Sequence, residues 1–196
     1  FIDATVCGFS RLAYRVFNEL RSPVQDALSP LGQQIIISRI LAEYRDELQM
    51  LMKISTQPHF AENLMNLFHQ FDMFCISETA LHDASLVEEG TPLGRKLADL
   101  SLLYKNYHDY LHTRFSYEGS LFDLLAGEIP KSEILRRSRI WIDGFNGMTP
   151  QKIRIVSALI RTAEEVTFTL PLPDAKEGLS NEIFARPANL LSLIHI

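Results

Sequence analysis

The chain has 196 residues, 46% of them hydrophobic and 22% charged, and a net charge of −5. This is ordinary globular composition, enough for one medium domain or two small ones. The acidic balance excludes a whole-surface positive field that would draw in nucleic acid, so any such contact needs a local basic patch. The two cysteines, Cys7 and Cys75, stand in no metal-like spacing; they argue against a disulfide framework and for a reducing compartment. No apolar run approaches the ~18 residues of a membrane span, and nothing reads as a signal peptide.

In chain order, Ala4 to Phe9 alternates weakly and predicts a short strand ending near Gly8, with Ser10 as the cap of the next helix. Ala13, Val16, Phe17 and Leu20 give that helix an apolar face, and Arg11 and Arg15, one turn apart, share a side of it. Ser29-Pro30 is a cap followed by a proline at the first helical position. From there Ile37, Leu41, Tyr44, Leu48 and Leu51 predict one helix running on towards Pro58. Phe60, Leu64, Leu67, Phe71 and Phe74 form the next stripe, which reads as packing rather than a cofactor site. Ser77 to Glu89 predicts a short capped helix with an acidic tail. Leu93, Leu97, Leu100, Tyr104, Tyr107 and Leu111 predict a helix of about twenty residues, roughly 30 Å long. Leu121 to Leu125 is a further short helix closed by Gly127 and Pro130.

Ile140 to Gln151, IWIDGFNGMTPQ, reads as a buried strand ending on Asp143, a glycine-containing turn, and a helix capped by Thr149 and opened by Pro150. Ile153, Val156, Leu159, Ile160 and Ala163 form that helix's buried face, and Val166 to Leu170 a second strand. Strand, helix and strand make a right-handed βαβ unit with a parallel pair. Ligands in open α/β sheets sit at the carboxyl ends of strands, where Asp143 stands. The expected fold class is therefore α/β with a large all-α insertion, mostly helical overall. Its boundaries are 1–29 for the first α/β part, 30–136 for the helical block and 137–190 for the return to α/β. Residues 174–190 read as loop. LSLIHI at 191–196 matches the translation of a common transposon-based sequencing adapter and is expected to be read-through, which makes the chain a piece of a longer reading frame.

His108 and His112, four apart, could share a metal on one helix face, but the second position holds Asp109 rather than Glu and no third ligand follows, so no metal site is expected. No GxSxG, GxGxxG or glycine-rich phosphate loop occurs, and neither cysteine has the cationic neighbours of a reactive thiolate. No catalytic residue is assigned. In P-loop ATPases an acid like Asp143 helps hold Mg²⁺ and the next residue is commonly the catalytic Glu; here the next residue is Gly144.

GFSRLAYRVF (8–17) resembles the single-strand-contacting TFHSFxxRLL-type motif of superfamily 1 helicases, with Phe9, Ala13 and Arg15 matching and Ser10 in place of His. IDGFNGMTPQ (142–151) resembles their Walker B segment, DEFQDTxxxQ. Asp143 and Phe145 match, Gly144 replaces Glu, Asn146 and Gly147 replace Gln-Asp, and Gln151 falls one position early. With FHQFDMFCIS (68–77) and KLADLSLLYKNYHDYL (96–111), these segments resemble the AddB and RexB proteins of bacterial AddAB-type helicase-nucleases, over nearly all of residues 1–190. The resemblance implies part of a P-loop, superfamily 1 helicase-like sheet domain in a protein several times longer. It implies ATP and Mg²⁺ bound with the help of an upstream loop, and a downstream nuclease with a 4Fe-4S cluster whose ligands lie outside this chain. It also implies a heterodimer with an AddA-type partner, and single- and double-stranded DNA as ligands. A role in double-strand-end processing for recombinational repair and a bacterial cytoplasmic location follow from the same resemblance. On that reading Phe9, Ser10, Arg11 and Arg15 face DNA, and Asp143 and Gln151 face nucleotide. The protein is helicase-like but not the motor, in keeping with Gly144. The alternatives are an active superfamily 1 DNA-dependent ATPase, and a helical interaction module without a nucleic-acid role.

Overall fold

Two units share the chain, residues 1–23 with 121–196 and residues 24–120. Of these the computed structural model describes residues 4–22, 28–112, 118–144 and 147–169. The adapter-like tail, the 174–190 segment, Phe145 and Asn146 lie outside the described residues. The described part is mostly helical, with one small parallel sheet.

Residues 24–120 hold α2 (Pro30–Glu43), α3 (Phe60–Met73), α4 (Glu78–Val87) and α5 (Pro92–His112). Ser29 caps α2 as expected, its Oγ accepting the Gly32 amide at 3.1 Å with Pro30 at the first position. Ser77 does the same for α4 from Ala80, at 3.1 Å. Such a cap contributes about 1 kcal/mol. The long Leu/Tyr stripe becomes α5, a helix of 21 residues. It buries Leu100, Leu103, Tyr104, Tyr107 and Leu111 against Ile37 and Leu41 of α2 and Leu64, Phe68 and Phe71 of α3. The rings of Phe68 and Tyr104 lie 5.0 Å apart, and those of Phe68 and Tyr107 5.3 Å.

Two expectations here are corrected. The helix begun at Pro30 ends at Glu43, followed by a 3-10 turn over Arg45–Glu47; Leu48 and Leu51 are buried, but from a non-helical segment. The reason is Asp99 of α5. Its carboxylate accepts the amides of Gln49, Met50 and Leu51 at 2.9, 2.8 and 2.9 Å, and so holds the backbone in a turn that a helix would forbid. Along α3 the buried line is Leu64, Met65, Phe68 and Phe71, whereas Phe74, at the helix end, is 55% exposed. The buried face thus shares Leu64 and Phe71 with the expected stripe but turns towards Met65 and Phe68, leaving Phe60 and Leu67 only partly buried.

A second buried polar cluster joins α3 to α5. The Tyr104 hydroxyl donates to Asp72 Oδ1 at 2.6 Å, and His108 Nε2 lies 3.3 Å from the same oxygen. The Tyr107 hydroxyl donates to Gln33 Oε1 at 2.8 Å, and His69 Nε2 is 2.8 Å from it. Burial, with the nearby Asp72 charge, pushes the Tyr107 pKa up, so this phenol stays a donor.

The other unit holds α1 (Phe9–Leu20), α6 (Glu118–Glu128) from Leu121 onward, α7 (Glu133–Arg136), β1 (Arg139–Ile142), α8 (Pro150–Thr162) and β2 (Glu165–Phe168). The expected strand, helix and strand form with a parallel pair, Ile140 opposite Val166 and Ile142 opposite Phe168; the first strand, expected to be buried, is buried only at Ile142, with Trp141 67% exposed. The core gathers Ala13, Val16 and Phe17 from α1, Leu121, Phe122 and Leu125 from α6, and Ile155, Val156 and Leu159 from α8, with Ile142 from β1.

The expected strand at Ala4 to Phe9 is not formed. Residues 4–8 are exposed and unpaired to any ladder, Val6 is 94% exposed, and Phe9 already belongs to α1. The sheet among the described residues consists of β1 and β2, and residues 4–8 add to neither of its outer edges. Ser10 is accordingly not the cap: the cap position is Gly8, without a side-chain bond.

Candidate nucleic-acid and nucleotide-facing sites

The periodicity that buries Ala13, Val16 and Phe17 must turn other positions of α1 outward. Arg11, Tyr14, Arg15 and Asn18, spaced by three, one and three residues, are all exposed. Neither arginine pairs with an acidic side chain among the described residues. Two uncompensated guanidinium groups one turn apart, about 6 Å along the axis, can neutralise an anionic backbone on a chain that is otherwise acidic. Phe9 is placed differently: it is half-buried and meets Phe122 edge-on, with centroids 6.4 Å apart. Ser10 is also half-buried, at the border of the exposed face. Tyr14 was not singled out from the sequence, although the Arg-x-x-Tyr-Arg spacing carries the signal.

The second candidate lies after β1. Asp143 is exposed at the carboxyl end of the strand, and its Oδ1 accepts a hydrogen bond from Thr169 Oγ1, just beyond β2. The parallel register brings these residues together, since the Thr169 amide also bonds the Ile142 carbonyl at 3.1 Å. Gly144 follows at φ +80°, a left-handed conformation in which a side chain is strained. Thr149 holds the N-cap position of α8, but its hydroxyl makes no cap bond; Oγ1 is buried without a partner among the described residues. Gln151, one residue into α8 from Pro150, is 2% exposed. The strand end thus presents one accessible carboxylate, while the amide of Gln151 is packed inside.

One exposed carboxylate suits an outer-sphere or single ligand to Mg²⁺, as an acid at a strand end does in nucleotide sites. The 4Fe-4S cluster does not fit this chain: a cluster takes four thiolates, and the sequence has two cysteines, one in each unit. His108 is engaged by Asp72 and stands edge-on to Tyr104 at 4.3 Å, which accounts for it within the core. No group of three or more metal-ligating side chains occurs among the described residues, and no described helix is long and apolar enough to cross a membrane.

Comparison with known proteins places the chain in a family. The profile of the ADDB N-terminal family matches residues 1–195. A protein of Pelotomaculum thermopropionicum, the B chain of an ATP-dependent helicase/deoxyribonuclease, is 37% identical over 174 residues, covering 87% of this chain and 15% of the relative. The proteins of the same name from Moorella thermoacetica and Carboxydothermus hydrogenoformans are 33% and 34% identical, covering 88% and 94% of this chain. The chain spans 15–17% of the length of these relatives. A profile match over nearly every residue and identities of this size lead to one conclusion: the chain belongs to the ADDB N-terminal family.

Proposed function

We propose that this chain is part of a helicase-like, non-motor AddB-type component of an ATP-dependent helicase/deoxyribonuclease that processes double-strand DNA ends for recombinational repair. The observation that carries this reading is the family match over residues 1–195, together with the names its relatives bear. The site geometry is in keeping with it. The arginines of α1 track the phosphates of a single strand. Asp143 faces an ATP-bound Mg²⁺ held mainly by a phosphate loop elsewhere in the protein, and Gln151 supports that strand end from within. Double-stranded DNA reaches the heterodimer assembled with an AddA-type partner, in a bacterial cytoplasm, and the iron–sulfur ligands lie elsewhere in the parent protein. The α/β unit is the remnant of a P-loop, superfamily 1 helicase-like sheet, and the helical block is inserted into it. Gly144 stands where such ATPases carry the carboxylate that polarises the attacking water, which argues against an active ATPase.

The test is Arg11→Ala with Arg15→Ala in the full heterodimer. Single-strand affinity should fall, and the slope of log K against log salt should flatten by about 1.4, from ~0.7 for each phosphate no longer neutralised. Identical affinity and slope over several salt concentrations would refute the assignment.

A second reading, a helical interaction module, is favoured by α2. Its Leu31 and Ile35 are 66% and 62% exposed beside a groove of about 610 Å³ that Pro58, His59 and Ala61 also line. Partner capture from nuclease-treated extract, set against DNA binding by the same protein, separates the two.

A further inference from the structure

We propose that the groove beside α8 is a docking site for an acidic peptide of a partner protein, an extended segment with two carboxylates three residues apart and apolar side chains between them. The groove holds about 400 Å³ and lies wholly within the sheet-bearing unit. The periodicity that buries Ile155, Val156 and Leu159 turns Arg154 and Arg161 outward. Both line the groove, with the half-buried Ser157 between them in the chain. The rest of the lining is apolar: Ile153 and Ala158 come from α8, and Ala126 and Pro130 from the segment facing it.

The two cations are open to a ligand. Arg161 Nε donates to the Ser157 carbonyl at 3.1 Å, which folds the side chain back along the helix, and its guanidinium pairs with no carboxylate among the described residues. Arg154 Nη1 lies 4.0 Å from Asp123 Oδ1 with both side chains more than half exposed, a contact weak enough to yield to a second carboxylate. Charge complementarity therefore asks for an acidic occupant, and the lining asks for an apolar one. A nucleic-acid strand fits less well, because no aromatic ring lines the groove for a base to stack on. The spacing narrows the class further. The seven residues from Arg154 to Arg161 advance roughly 10 Å along the helix. A peptide in the polyproline II conformation advances about 9 Å in three residues and returns to the same side. Carboxylates at its first and fourth positions meet the two guanidinium groups and leave the residues between them for the apolar lining.

The experiment uses the full-length parent protein and a fluorescein-labelled peptide, Gly-Glu-Pro-Leu-Glu-Gly, followed by anisotropy. Gly-Gln-Pro-Leu-Gln-Gly and the re-spaced Gly-Glu-Glu-Pro-Leu-Gly serve as controls. The first peptide should bind saturably and both controls more weakly. Arg154→Ala with Arg161→Ala should weaken binding about tenfold, the scale of two exposed ion pairs lost. Ala158→Glu, which sets a carboxylate in the groove and leaves both arginines in place, should weaken it as well. Affinity for single-stranded oligo-dT and its salt slope should be unchanged in both variants. No saturable binding by wild type, equal binding of the three peptides, or equal binding by wild type and the variants overturns the proposal. So does an arginine variant that loses oligo-dT affinity and salt slope while peptide binding stays, since the cations would then serve a phosphate backbone. Arg11 and Arg15 are untouched in these variants, so failure here leaves the single-strand reading of α1 as it stands.

Discussion

In residues 24–120 the carboxylate of Asp99 lies inside the packing, at 2% exposure, with three amide donors supplied by the chain itself; that of Asp72, at 7%, takes the Tyr104 hydroxyl on Oδ1 and has no partner for Oδ2 among the described residues. In residues 1–23 and 121–196 the carboxylate of Asp143 and the guanidinium groups of Arg11 and Arg15 lie at the surface. A buried ion costs several kcal/mol to desolvate and persists only where its hydrogen bonds are made. The first arrangement therefore fixes a backbone in place, whereas the second leaves charge available to a ligand. By this measure the helical block is a scaffold, and the small sheet with α1 is where binding chemistry is to be sought.

The sharpest way to break that contrast is Asp99→Ala. It removes the acceptor of three amides at once, that of Leu51 buried and those of Gln49 and Met50 part-buried. Charge-assisted bonds contribute about 1.5–3 kcal/mol each, so a loss of at least about 3 kcal/mol is expected. Hydrogen exchange by mass spectrometry should show Gln49, Met50 and Leu51 exchanging fast, with exchange on α1 and β1 unaltered. If exchange stays slow at those amides, Asp99 is not what holds the turn.

Asp99 also marks what the sequence could and could not disclose. The capped starts at Ser29 and Ser77, the long helix at Leu93 to Leu111 and the parallel βαβ unit are local or strictly periodic features, so residue spacing alone reveals them. The end of α2 depends on a carboxylate 48 residues from Leu51, which no window of pattern can contain. The expected strand at Ala4 to Phe9 failed for a similar reason: a strand is decided by the partner its ladder finds, not by its own alternation. At the site, the strand-end placement of Asp143 and the outward arginines were legible from period and turn chemistry. The burial of Gln151 and the half-burial of Phe9 were not, because motif position does not encode which way a side chain packs.

The second test concerns a carboxylate that ties the sheet-bearing unit together. Glu19 of α1 accepts from the Ser132 hydroxyl and, at 2.9 Å, from the Ile134 amide, so it caps α7 from 115 residues away. Ser132, fully buried, in turn accepts the Leu135 amide at 3.1 Å. Desolvation alone would raise the Glu19 pKa. The Ser132 bond and the amides of Ile134 and Glu133 outweigh it, and the pKa lies below its ordinary value of 4.5. A depressed carboxylate contributes stability that is present above the unfolded value and is lost as pH falls through the folded one. Acidification below about 4.5 should therefore loosen α7 first, seen as faster exchange at Ile134 and Leu135. Glu19→Gln should remove the pH dependence of that exchange. An unchanged acid profile in Glu19→Gln would place the titration elsewhere.

The smallest effect is expected at Gly144, and it bears directly on whether the surface carboxylate belongs to a motor. At φ +80° a Cβ meets nothing within 4 Å, so space does not forbid a side chain; the backbone conformation does. Gly144→Ala should cost about 1 kcal/mol of local stability, the left-handed penalty. Gly144→Glu should carry the same cost and add a carboxylate beside Asp143. If the strand end has lost its motor function as a unit, restoring the acid restores nothing, and ATP hydrolysis attributable to this protein stays at the background set by Asp143→Asn. Hydrolysis that rises in Gly144→Glu and vanishes on adding Asp143→Asn would mean that only the base was missing. Asp143 would then be a metal-positioning residue in a dormant ATPase, and the division between scaffold and binding surface would have to include a reaction.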